Sequence, residues 1–167
     1  IVETDNLCSL AQDERNLALM LQRTQKQWGG DKDLWVFGYA SLIWRPDFDF
    51  AERRPARVHG WHRALRMWSH VNRGTNACPG LVFAMLSGGS CQGMVFRIPQ
   101  SDAQAALERL WVREMPTPVY DPRWLPCQTP QGTVQALAFT LSRRSPSHTG
   151  SLPAHEYQRI FKQAHGR

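Results

Sequence analysis

The chain lacks any apolar run approaching the roughly eighteen residues a membrane helix needs, so no helical span is expected. It has few cysteines: Cys8, Cys78, Cys91 and Cys127 stand far apart with no C-x-x-C pair. Secreted disulfide scaffolds are usually shorter and denser in Cys, so reduced thiols and a cytoplasmic location are the expectation. No basic stretch followed by an apolar run opens the chain, so no secretory signal is visible. It begins at Ile1 rather than Met, and its native start is expected to lie upstream. Repeats and low-complexity tracts are absent too. Acids are in short supply: 14 Asp and Glu face 20 Lys and Arg, a formal charge of +6.

What is present fits one compact domain over 1–167, because 42% hydrophobic residues suffice for a core at this length. Much of the excess charge lies between Arg45 and Arg73, where seven arginines face three acids, Asp47, Asp49 and Glu52. Such a surface attracts nucleic acid, small acidic metabolites or simply water, and charge alone does not choose among them.

The pattern begins with a helical N-terminal extension over about 9–28, its stripe formed by Leu10, Leu17, Met20, Leu21 and Trp28 and its end by Gly29-Gly30. Leu34 to Phe37 reads as a buried strand leading into Gly38, and Arg57 to His70 as a long one. Gly80–Leu86 and Cys91–Ile98 suggest a hairpin turning at Ser87-Gly88-Gly89-Ser90. Ser101 and Gln104 have capping-box spacing ahead of a helix faced by Ala103, Ala106, Leu107, Leu110 and Trp111, which Pro116 and Pro118 prevent from continuing. A second hairpin is expected around Pro130-Gln131-Gly132, then a polar loop over Ser142–Ser151 and a last helix from about Pro153 to His165. Recurrent hairpins with few helices argue for an α+β domain built on an antiparallel sheet or barrel.

Val36-Phe37-Gly38-Tyr39-Ala40-Ser41-Leu42-Ile43-Trp44 is a strand running into a Gly-containing turn. Such turns present consecutive N–H groups that hold an anion or a developing oxyanion, although an ordinary tight turn anchored by a Trp reads the same way. The stretch resembles the V-F-G-Y-G-S-L-x-W signature of the ChaC-type, glutathione-specific γ-glutamylcyclotransferases. The resemblance continues in order through Arg57–Arg63, Arg73-Gly74-Thr75, Pro79–Val82, Cys91–Val95 and Arg113-Glu114, with Tyr120 beyond. Linked motifs in order are far more specific than any one of them.

That resemblance implies a small mixed barrel with flanking helices, no metal and no organic cofactor. It implies release of 5-oxoproline and cysteinylglycine from glutathione, a lyase reaction on an amide. By the same resemblance Val36, Phe37, Gly38, Tyr39, Ala40, Ser41 and Leu42 would cradle the γ-glutamyl group and Glu114 would be the catalytic carboxylate. Arg73 would meet a substrate carboxylate or remain a plain surface residue. Tyr120 would bond the substrate, orient Glu114 or simply pack. The family Gly of the turn is Ala40 here, which strains the chain if φ is positive and is harmless if it is negative. Family members usually continue beyond a Gly-Arg like Gly166-Arg167, so a further C-terminal segment is expected.

Other chemistries fit less well. Ser41 lies in G-Y-A-S-L rather than a G-x-S-x-G elbow, and no cysteine carries a local nucleophile signature. His59 points away from the strand face shared by His62 and His70, which themselves lie too far apart for a zinc site. Two alternatives stay open: a cyclotransferase acting on other γ-glutamyl compounds, and a non-catalytic module binding anions or nucleic acid. No basic-aromatic motif supports nucleic acid, and membrane binding is not expected. The pattern is silent on oligomeric state.

Overall fold

A computed structural model of the chain describes residues 17–69, 80–115, 119–145, 147–150 and 152–163. Among these, a helix α1 over 17–28 precedes β1 (Leu34–Gly38), α2 (Ser41–Trp44) and β2 (Glu52–Ser69). Then come β3 (Gly80–Ile98), α3 (Gln100–Glu114), β4 (Asp121–Thr129), β5 (Gly132–Thr140) and α4 (Ala154–Gln163). The five strands close a mixed barrel in the order β1-β3-β2-β4-β5. This is the expected α+β class. No described helix is long and apolar enough to cross a membrane.

The chain divides into two compact units. The first holds residues up to Val58 and from Gln92 to Phe139. Here β1 lies antiparallel to β3, Val36 opposite Phe96 and Gly38 opposite Met94, and parallel to β5 with Val36 opposite Leu137. Its strand register puts Leu34, Val36, Phe37, Val95, Phe96, Ile98 and Leu137 in the core with essentially no exposure. The predicted face of α3 is fully borne out: Ala103, Ala106, Leu107, Leu110 and Trp111 are all buried. On α1, Thr24 and Trp28 are buried, and Gly29 and Gly30 take positive φ beyond its end. Leu10 lies outside the described residues.

The second unit comprises His59–Cys91 and Thr140 onward. Leu81, Ala84, Met85, Leu86, Leu141 and Ile160 are buried in it. The segment expected as a free surface loop is partly tied down, since Met67 bridges His148 and the Trp68 amide donates to the Ser147 carbonyl at 2.8 Å.

Three local expectations fail for physical reasons. Ser87-Gly88-Gly89-Ser90 does not turn a hairpin. It is a stretch of the continuous strand β3, where Gly88 (φ 101°) and Gly89 (φ 69°) use their positive φ to kink the strand. Gly60 on β2 also has positive φ, and the Gly88 carbonyl meets His62 Nδ1 at 2.8 Å. Strand β2 begins earlier than Arg57, at Glu52, and takes in Pro55, whose fixed φ suits extended backbone. Finally, the capping box is not made. Helix α3 starts at Gln100 after Pro99 with no cap from the side chain at its own N-cap, and Gln104 donates instead to Glu108. Asp33 serves from far away in sequence, its Oδ1 accepting the Gln100 amide at 2.9 Å. The second hairpin forms as expected, with Thr129 bonding Gly132 and Gln131 across the turn.

Candidate active site

Two glycines shape one side of the site. A Cβ on Gly38 would stand 2.9 Å from the Leu42 Cβ and 3.3 Å from the Phe96 ring, so the chain after β1 folds back tightly only because Gly38 has no side chain. A Cβ on Gly93 would overlap the Gly38 carbonyl oxygen and come within 2.8 Å of the Phe37 ring. A glycine inside a strand often marks such a close approach of two backbones. The turn is therefore fixed from both strands.

The side chains of Val36 and Phe37 are entirely buried, so only their backbone could meet a ligand. Leu42 is buried and Ser41 is exposed. Trp44, the anchor an ordinary turn would use, is 82% exposed. Ala40 has φ −147°, outside the left-handed region, so the methyl that replaces the family glycine is accommodated.

Tyr39 is buried, and its hydroxyl donates to the Phe139 carbonyl at 3.1 Å. A further hydrogen bond joins its hydroxyl to that of Tyr120. Burial, then the neighbouring Glu114 charge, push the Tyr120 hydroxyl well above its ordinary range, while the hydrogen bond with Tyr39 opposes them. Tyr120 accordingly keeps its proton and, because that of Tyr39 is given to the Phe139 carbonyl, donates it to the Tyr39 oxygen. Its ring stands edge-on to Phe139 at 6.2 Å, as does that of Trp111 at 5.9 Å.

Glu114 is the last residue of α3 and only 15% exposed. Burial raises its carboxyl above the ordinary carboxylate range; Arg113 pulls it down and Asp47 pushes it up again. The Arg113 Nε lies 3.2 Å from Glu114 Oε1, close enough for an ion pair. The same guanidinium reaches the Arg45 carbonyl and Asp47 Oδ2, the latter at 2.7 Å. Asp47 has φ 56°, alone among the described non-glycine residues in taking positive φ.

Tyr39, Glu114 and Tyr120 thus come together, with Gly38 holding the turn that carries Tyr39. Arg73 lies outside the described residues. The pattern missed Asp47, Arg113 and Gly93. Gly93 was findable as a lone glycine within an apolar strand run; Asp47 looked like one acid in a basic stretch. Among the described residues no three His, Cys, Asp or Glu side chains gather as metal ligands. Cys91 and Cys127 are both buried thiols, and desolvation raises that of Cys91.

The barrel and its flanking helices have the fold of the γ-glutamyl cyclotransferases. The structure aligns with the glutathione-specific γ-glutamyl cyclotransferase of yeast at a TM-score of 0.74, covering 81% of this chain and 80% of that one at 21% identity. It also aligns with YkqA from Bacillus subtilis at 0.55, covering 84% and 51% at 17% identity. At such identities the likeness establishes the fold alone.

Sequence establishes the family. Residues 34–167 match the model described as ChaC-like protein, and the chain belongs to that family. A glutathione-specific γ-glutamylcyclotransferase of Escherichia coli K12 is 34% identical over 134 residues, 80% of this chain and 58% of that protein. Glutathione-specific γ-glutamylcyclotransferase 1 of mouse is 33% identical over 136 residues, 77% of this chain and 61% of that protein. The chain spans about three-fifths of the length of these curated relatives.

Proposed function

We propose that this chain carries the catalytic domain of a glutathione-specific γ-glutamylcyclotransferase acting in the cytoplasm, with Glu114 as its acid and base. The observation that carries the proposal is a carboxylate at a helix end buried enough to be raised in pKa, near a turn packed tightly through two glycines. The names of the curated relatives favour glutathione as the γ-glutamyl compound.

The substrate brings its own nucleophile. Its α-amino nitrogen attacks the γ-carbonyl carbon, a five-membered ring closes, and the amide C–N bond breaks to release cysteinylglycine. Folding the extended substrate into that attacking shape is worth roughly 7–11 kcal/mol when positioning is good. The ammonium must first lose a proton, and the leaving amine must gain one. A single carboxylate between the two nitrogens does both, and burial that lifts its pKa toward the working pH improves it in each role. The short helix α2 leaves the N–H groups of Ser41 and Leu42 without acceptors inside the helix, suited to the tetrahedral oxyanion. Each good donor there contributes about 3–4 kcal/mol. The neutral Tyr120 hydroxyl stands near Glu114 with its proton shared with Tyr39, so it presents an acceptor oxygen there. Val36, Phe37 and Gly38 serve through backbone and shape, and Arg73 is proposed to receive a substrate carboxylate.

Incubation of the protein with glutathione, γ-glutamylcysteine and γ-glutamylalanine, followed by assay of 5-oxoproline, tests the assignment. Glutathione should be converted with the highest kcat/KM. Preferential release from another γ-glutamyl compound would move the assignment to that substrate, and no 5-oxoproline from any of the three would overturn it.

A further inference from the structure

The proposed reaction assigns no task to the arginine beside its carboxylate. Arg113 makes three contacts at once: Nε to Glu114 Oε1 at 3.2 Å, and one terminal nitrogen to Asp47 Oδ2 at 2.7 Å and to the Arg45 carbonyl. Consecutive residues on a helix do not face one another, so a guanidinium folded onto the next side chain is a specific arrangement of this helix end. The two outer partners both follow α2, the short helix opened by the Ser41–Leu42 turn. Arg113 therefore joins the segment leaving the turn to the residue that would do the chemistry. Asp47 holds its end of the clamp from a left-handed backbone position that costs an aspartate little compared with other side chains.

We propose that Arg113 is a positioning residue for the cyclisation, clamped by Asp47 and the Arg45 carbonyl so that its charge stands on the Oε1 side of Glu114 and leaves Oε2 to move the substrate's proton. The inference rests on the acid-base assignment of Glu114. Its physical content does not require turnover, because the clamp also sets the charge around a buried carboxyl. The groups facing Glu114 are Arg113 on its own helix, Asp47 after α2 and Tyr120 ahead of β4, with Tyr39 behind Tyr120. Of these, Arg113 alone carries positive charge. Lysine would keep that charge but lacks the planar guanidinium that bonds Asp47 and the Arg45 carbonyl while facing Glu114.

The test pairs a titration with kinetics. In protein labelled with carboxyl-13C glutamate, the Glu114 resonance is assigned by its loss in Glu114→Gln and followed against pH. In Arg113→Gln it should titrate at higher pH than in wild type, because burial is then unopposed; in Arg113→Lys it should stay near wild type. With glutathione, Arg113→Gln should lose on the order of 10²-fold in kcat with a smaller change in KM, and the acid limb of its pH profile should move upward. Arg113→Lys should recover part of kcat. Asp47→Gly keeps the backbone conformation while removing the anchor, and should lower kcat less than Arg113→Gln. An unmoved Glu114 titration in folded Arg113→Gln, or a lower melting temperature with unchanged kcat and pH profile, would overturn the proposal and leave Arg113 a structural residue. A Glu114 titration shifted in Arg113→Gln, with a wild type that converts no γ-glutamyl substrate, would instead overturn the proposed function while upholding the clamp.

Discussion

The first unit contains two carboxylate–arginine clusters that treat their acids in opposite ways. In one, Arg97 bridges Asp33 at 2.9 Å and Glu52 at 3.0 Å, and Arg54 also pairs with Glu52 while lying over the Trp35 ring. Asp33 and Glu52 remain 38% and 32% exposed, and their hydrogen bonds to arginine hold both below the usual carboxylate range. In the other, Glu114 also touches an arginine, yet burial outweighs that partner and its carboxyl rises. Proximity to arginine therefore does not set a carboxylate's role. The balance between desolvation and pairing decides the direction of each shift, and it separates the half-exposed Arg97 network, whose acids are held low, from Glu114, whose carboxyl is raised.

The comparison breaks most visibly on the site side at Gly93. Gly93→Ala should cost at least about 1–3 kcal/mol, because the new methyl overlaps the Gly38 carbonyl and the Phe37 ring, and should collapse turnover with it. Urea unfolding and 5-oxoproline assay check both. A variant of wild-type stability and activity would show that the two strands need not approach as closely as described.

Opposite pH dependences sharpen the contrast next. The raised pKa of Glu114 gives a contribution to stability that is full below its unfolded value and is lost as pH rises through the folded one. The lowered values of Asp33 and Glu52 give contributions present above their unfolded values and lost as pH falls through the folded ones. Glu114→Gln should therefore be no less stable than wild type at neutral pH, whereas Glu52→Gln should lose stability there and match wild type more closely in acid. Denaturant unfolding of the three proteins from acid to neutral pH measures this; parallel curves would remove the distinction.

A smaller effect is expected at Asp33. Asp33→Asn should lower the melting temperature modestly, weakening the Arg97 pair and the cap on Gln100, while leaving kcat with glutathione unchanged. The smallest is the response to salt. Added salt should erode the half-exposed Arg97 network while leaving the Glu114 titration nearly in place, since buried charges are screened far less.

How much of this was legible in the sequence follows from the range of the forces involved. The buried face of α3 and the strand Leu34–Phe37 rest on local periodicity, and both were readable. The turn at Gly88-Gly89 was misread because a kinked strand and a hairpin ask for the same residues. The cap from Asp33 was missed because a nearer, plausible capping pair stood at Ser101 and Gln104. At the site, Glu114 and the turn Gly38–Leu42 emerged only from linked family motifs, since a lone Glu at a helix end ordinarily marks a solvated charge. The clamp of Asp47 on Arg113 joins residues 66 apart, a pairing no local pattern encodes.

The central claim is that Glu114 moves the proton in a γ-glutamyl cyclisation. The most direct measurement is single-batch incubation of wild type and Glu114→Gln with millimolar glutathione, with 5-oxoproline and cysteinylglycine quantified together. Wild type should release equal amounts of the two products, and the folded variant should be slower by about 10²–10⁴-fold. Turnover by Glu114→Gln at the wild-type rate would contradict it.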